Sequence, residues 1–197
     1  MFYDTASNGH GLRSDPLKAL IAPRPIGWIS TLSPDGVVNL APYSFFNAIS
    51  EDPPYVMFSS GGRKDSQNNA ETTGEFVCSI VSYALREAMN VTSAPVPPEV
   101  DEMALAGLAP APCRLVKTPR VAAAPAALEC RYWKTVPLPS SGAGGYSLII
   151  GEVVGVHIED RFIVDGRVDT VAMRPIARMG YGDFAVVDGK FTMRRPG

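Results

Sequence analysis

Pro25-Ile26-Gly27-Trp28-Ile29-Ser30-Thr31-Leu32, then Ser33-Pro34-Asp35-Gly36, then Val37-Val38-Asn39-Leu40-Ala41-Pro42, is the stretch that decides the fold. The first run is β-branched and aromatic, the next four residues are turn formers, and a second extended run follows without a spacer. That order predicts an antiparallel hairpin with a four-residue turn.

The same grammar continues on either side. Pro53 and Pro54 introduce a strand over residues 55–60 (YVMFSS) that stops at Gly61-Gly62. Residues 65–73 (DSQNNAETT) have the polar composition of a short surface helix ending before Gly74. A strand is expected over 75–81 (EFVCSIV), and Ser82 opens a second helix through 83–90. Residues 128–136 (LECRYWKTV) and 146–160 (YSLIIGEVVGVHIED) are the next two strong strands, joined by a loop over 137–145. Shorter extended segments are expected at 161–164, 166–169 and 184–193. Between them, residues 94–127 are rich in Pro and Ala, which excludes a continuous helix. This region reads as an ordered excursion over the barrel, with one or two helical turns at 101–106 and a mobile lid as the alternative. Six or more strands with two or three short helices, and no repeat or heptad pattern, predict a mainly β chain closed into an antiparallel barrel.

At 197 residues the chain fits one domain, 1–197, able to bury most of its apolar surface without staples. With 46% hydrophobic residues, 19% charged and a formal net charge of -2, it lacks the excess cations that a polyphosphate partner needs, so nucleic acid is excluded as a partner. Cys78, Cys113 and Cys130 are three, far apart and without a C-x-x-C pair. They read as free, mostly buried thiols in a reducing compartment, and no metal site is expected. No run of about 18 apolar residues occurs, so the expectation is a cytoplasmic protein with no membrane partner.

Chemistry concentrates in two places. Arg63-Lys64-Asp65-Ser66-Gln67-Asn68-Asn69 follows a strand and a Gly-Gly break at the start of a helix. Free N–H groups and the positive end of the helix dipole attract an anion there, Gly61 and Gly62 allow close approach, and Arg63 and Lys64 add charge. The other reading is a capped surface helix with two solvated cations. Asn39-Leu40-Ala41-Pro42-Tyr43-Ser44-Phe45-Phe46-Asn47 sets amides beside two aromatics, suited to the edge of a flat heterocycle. Against it stands an ordinary strand end with Phe45 and Phe46 in the core.

Taken together, residues 24–31 (RPIGWIST), the Asp35-Gly36 turn, residues 39–46 (NLAPYSFF), Asp52-Pro53-Pro54, Lys64-Asp65-Ser66 and residues 73–77 (TGEFV) resemble the flavin reductase-like, FMN-binding split-barrel family, in its flavoredoxin-like branch. Residues 150–157 (IGEVVGVH) and 175–181 (PIARMGY) are similar more loosely. The resemblance implies a six-stranded antiparallel Greek-key split β-barrel, a homodimer, and FMN in a groove near the subunit interface. Carried over by position, Lys64, Asp65 and Ser66, with Arg63, Ser59, Ser60 and Gly61 nearby, hold the phosphate. Thr31, Asn39, Ala41, Ser44, Phe45 and Asn47 line the isoalloxazine, and Arg178 and Tyr181 complete the pocket from either subunit.

No catalytic side chain is expected, because the flavin carries the redox chemistry. The activity implied is that of an NAD(P)H-dependent flavin reductase or oxidoreductase, taking NADH or NADPH and supplying a monooxygenase. A flavoredoxin-like electron carrier fed by a protein donor is the alternative. A binding protein without FMN, and a pyridoxamine-phosphate oxidase type of barrel, are lesser ones. Trp28 is expected in the core rather than on the flavin, and His157 as a satisfied structural histidine rather than a nicotinamide contact.

Overall fold

The computed structural model describes residues 1–140 and 144–196. The chain enters through α1 (Leu17–Leu20) and β1 (Arg24–Pro25) and then builds β2 (Gly27–Leu32), β3 (Val38–Tyr43), β4 (Phe46–Glu51) and β5 (Pro54–Gly61). Helix α2 (Asp65–Thr73), β6 (Glu75–Ile80), a 3-10 turn at Tyr83–Leu85, α3 (Arg86–Val91) and α4 (Glu102–Leu105) follow. Short strands β7 (Pro110–Ala111) and β8 (Arg120–Val121) precede the two long ones, β9 (Ala126–Pro137) and β10 (Tyr146–Ile158). A small hairpin, β11 (Ile163–Val164) with β12 (Arg167–Val168), leads to α5 (Thr170–Met173), β13 (Ile176–Arg178) and β14 (Phe184–Val186).

Seven strands form one antiparallel sheet in the order β3-β2-β6-β9-β10-β5-β4. Its edge strands, β3 and β4, are consecutive in the chain and joined only by Ser44 and Phe45. The sheet therefore curls until its edges meet, and the chain itself bridges the seam, where Ser59 N donates to Phe45 O at 2.8 Å. Taken as one strand bent at Ser44–Phe45, β3 and β4 make the six-stranded, non-sequential Greek-key barrel, split at that seam.

Two apolar clusters hold it. Ile29, Phe58, Phe76, Cys78, Cys130 and Ile149 fill the barrel interior. Outside it, Trp28, Leu40, Val81 and Met89 pack against Met103, Val121 and Ala124 of residues 94–127. The Pro/Ala-rich region is thus an ordered layer that the barrel's outer face requires. Trp28 is fully buried there and donates from Nε1 to Thr92 Oγ1 at 2.9 Å, as expected of a core tryptophan.

Three sequence expectations need correction. β4 was not read as a strand: all but its first residue are exposed, so it carries no apolar alternation. Beyond Val186 the tail forms no strand to Met193, because nothing covers its apolar residues, Phe191 at 86% and Met193 at 80% exposure. Helix α2 is not a surface helix, since Ser66, Gln67, Asn69 and Ala70 are buried. Its polar face is buried because barrel amides and hydroxyls satisfy it, with Asn69 Nδ2 donating to Thr31 Oγ1 at 3.2 Å. Of the loop expected over 137–145, residues 141–143 lie outside the described residues.

Candidate functional site

The seam of the barrel opens into a groove of about 970 Å³. One wall is edge strand β3. Its outward-facing positions are blunted: Leu40 N donates to Glu102 Oε2 at 3.0 Å, and Pro42 has no N–H. The opposite wall comes from the end of β5 and the start of α2. Gly62, at φ +72°, turns the chain after β5, and Lys64 enters α2 in extended conformation without a side-chain cap. The N–H groups of Asp65, Ser66 and Gln67 have no partner inside the helix, because the first intrahelical bond runs from Asn68 N to Lys64 O at 3.0 Å. At its other end α2 closes on Gly74, left-handed at φ +76°, whose N–H reaches Ala70 O.

Of the residues carried over from the sequence, Asn39, Ala41, Ser44, Phe45, Ser59, Gly61, Arg63, Lys64, Asp65, Ser66, Arg178 and Tyr181 all line this groove. Thr31 and Ser60 do not: both are fully buried one layer behind it. Thr31 Oγ1 accepts from Asn39 Nδ2 at 3.2 Å, and Asn39 Nδ2 also donates to Ser66 Oγ at 2.9 Å, so Thr31 acts on the groove by fixing an amide. Asn47 faces an adjoining apolar hollow of about 690 Å³ with Met57, Leu138 and Leu148.

The two neighbouring cations differ. Arg63 is ion-paired with Glu71 along α2, which also accepts from Gln67 at 2.9 Å. Burial alone would raise the Glu71 carboxyl, but hydrogen bonds from Gln67, Thr135 and Arg63 outweigh it and hold it below its ordinary value. Glu71 therefore stays ionised and keeps Arg63. Lys64 has no ion pair among the described residues.

Several lining residues were not legible in the sequence. Tyr146 packs over Gly61, where an added Cβ would lie 3.0 Å from its ring, and sits 6.0 Å from Phe45 between centroids. Arg24 is buried with no acidic partner among the described residues, donating to the carbonyls of Lys18, Ile21 and Met179, and burial, then the charge of Arg178, lower its pKa. Ala94, Pro95, Val96 and Glu102 bring the Pro/Ala-rich layer into the wall, beside Thr92 at the end of α3. Burial pushes the Glu102 carboxyl up, against the bond from Leu40 N–H. Burial likewise raises the Tyr43 phenol, against hydrogen bonds with Ser66 and Ser60. An acid in a run with Glu99 and Asp101, or an Arg before a proline, gives no pattern to read. His157 lies away from the groove, 2.5 Å from Glu129 through Nε2.

Residues 20–170 match the model of the flavin reductase like domain. The chain belongs to the flavin reductase-like family. Within that family's reach, a protein of Aquifex aeolicus is 40% identical over 167 residues, 82% of this chain and 83% of that one. Nitrilotriacetate monooxygenase component B from Bacillus cereus is 31% identical, with a TM-score of 0.88 over 98% of both chains. The 2-nitrobenzoate 2-nitroreductase of Pseudomonas fluorescens, 24% identical, has the same fold, with a TM-score of 0.87 over 100% of this chain and 96% of that one. No helix among the described residues is long and apolar enough to cross a membrane.

Proposed function

We propose that the seam groove binds FMN and that the protein is an NAD(P)H-dependent flavin oxidoreductase working as a homodimer, with a monooxygenase as the downstream acceptor. One observation carries the reading. The uncapped start of α2, with Lys64 in no ion pair among the described residues, faces the same groove as Asn39 and the Phe45–Tyr146 pair. The groove volume also lies at the upper end for small-ligand sites.

The N–H groups of Asp65, Ser66 and Gln67 would receive the phosphate, with the Lys64 ammonium and the helix dipole adding charge. Asn39, held by Thr31 and Ser66, and the backbone from Ala41 to Phe45 would meet the heterocycle's edge, while Phe45 and Tyr146 exclude water. Bound FMN would supply the hydride-accepting and electron-releasing chemistry. The residues here bind and orient, and none has to move a proton. The resemblance to a monooxygenase component from Bacillus cereus supports the acceptor. Strand β4, exposed along nearly its whole length, and Trp133, 59% exposed and 5.5 Å from Tyr55, support a second copy on that side.

The test is anaerobic addition of NADH and then NADPH to the flavin-loaded protein, followed by visible absorbance. Rapid bleaching by either nucleotide is expected. A protein that keeps its flavin oxidised under both would be a carrier fed by a protein donor.

A further inference from the structure

Cys113, Glu129 and His157 are far apart in sequence and lie outside the groove, yet the fold brings one donor atom from each within 4.8 Å of the others. Glu129 is on β9 and His157 on β10, in the register that pairs Gly155 with Glu129. Gly155 makes the approach feasible, since a Cβ there would lie 3.2 Å from the Glu129 carboxyl carbon. Cys113 comes from the middle of the Pro/Ala-rich layer.

The carboxylate is fixed by the segment that carries the thiol. Glu129 Oε1 accepts from Arg114 N at 2.9 Å, and Oε2 accepts from Leu115 N at 2.6 Å and Val116 N at 3.1 Å. Such backing bonds hold metal-ligating carboxylates in place in known centres. Glu129 is buried while Cys113 and His157 are half-buried, which leaves one side of the cluster towards solvent. Thiolate, imidazole and carboxylate together suit zinc and its neighbours, and suit the all-oxygen preference of magnesium or calcium poorly. In a tetrahedral site with these donors, ligand atoms stand roughly 3.3–3.8 Å apart. The Glu129–His157 contact of 2.5 Å would open to that spacing.

We propose that Cys113, Glu129 and His157 form a site for one divalent transition-metal ion of the zinc class, with water as the fourth ligand, tying the Pro/Ala-rich layer to β9 and β10. On binding, the Cys113 thiol releases its proton to solvent, the imidazole proton that bridges Nε2 to Glu129 passes to Nδ1 so that neutral imidazole ligates through Nε2, and thiolate and carboxylate together balance the two positive charges. The proposal departs from the sequence expectation of no metal site, which rested on the lack of paired cysteines.

The test uses the full chain, freed of metal by chelation, titrated with Co²⁺ and then Zn²⁺. The expected result is one Co²⁺ per chain, a thiolate-to-cobalt charge-transfer band in flavin-free protein, and intense d–d bands beyond the flavin absorption, all displaced by one equivalent of Zn²⁺. Cys113→Ser abolishes the charge-transfer band, and His157→Ala weakens Zn²⁺ binding about tenfold or more. Zn²⁺ raises the thermal midpoint of the wild type and leaves Cys113→Ser unchanged. No stoichiometric uptake, or a charge-transfer band that survives Cys113→Ser, overturns the site. If a variant fails to fold, the wild-type titration alone decides, and a missing charge-transfer band refutes the proposal. None of these readouts depends on flavin binding.

Discussion

Lys64 and Arg63 are neighbours in sequence and differ in what they are free to do. Glu71 already holds Arg63, while Lys64 has no carboxylate partner among the described residues. Lys64→Ala is therefore expected to weaken FMN binding about five- to thirtyfold, the scale of one charge-assisted contact, and Arg63→Ala by much less. Flavin fluorescence titration of the two variants checks the order. Glu102 makes a second prediction. Its folded pKa is raised by burial, so ionising it in the fold carries a stability cost, absent below the ordinary carboxylate range and complete above the folded pKa. Glu102→Gln keeps an acceptor for Leu40 N–H and loses the charge, so its stability relative to wild type should improve as pH rises. Glu102→Ala leaves that N–H unpaired and should cost about 1–3 kcal/mol. Urea unfolding at pH 4 and pH 8 would separate the two variants.

Helix α2 shows what the sequence reveals of an element and what it hides. Asp65–Thr73 was legible because Gly-Gly precedes it and Gly74 follows, and the left-handed Gly74 is the conformation its C-terminus needs. Gly74→Ala should lower stability by about 1 kcal/mol, read as a fall in thermal midpoint, and loosen the flavin site only through the helix. The burial of the polar face of α2 was not legible, because Asn69 and Ser66 look solvated until the barrel supplies Thr31 and Asn39. The hairpin β2–β3 and the long strands β9 and β10 announced themselves through β-branched runs. Strand β4 was hidden because it is exposed and lacks alternation, and Tyr146 and Arg24 reach the groove only through long-range pairing.

At the scale of the molecule, the barrel closes through the chain rather than through a ladder, and the seam this leaves is the groove. Residues 94–127 are a second layer of the core, with Met103 and Val121 buried against Trp28. They should resist protease until the barrel unfolds, while cleavage begins in the exposed tail after Val186. Limited proteolysis with mass mapping checks this, and early nicking within 94–127 would contradict it.

If the start of α2 holds the phosphate of a flavin, equilibrium titration of the flavin-free protein will separate FMN from riboflavin. One FMN per chain, bound at least tenfold more tightly than riboflavin, is the predicted result. Equal affinity for the two would rule out a phosphate site at the start of α2, and no binding of either would rule out a flavin in the groove.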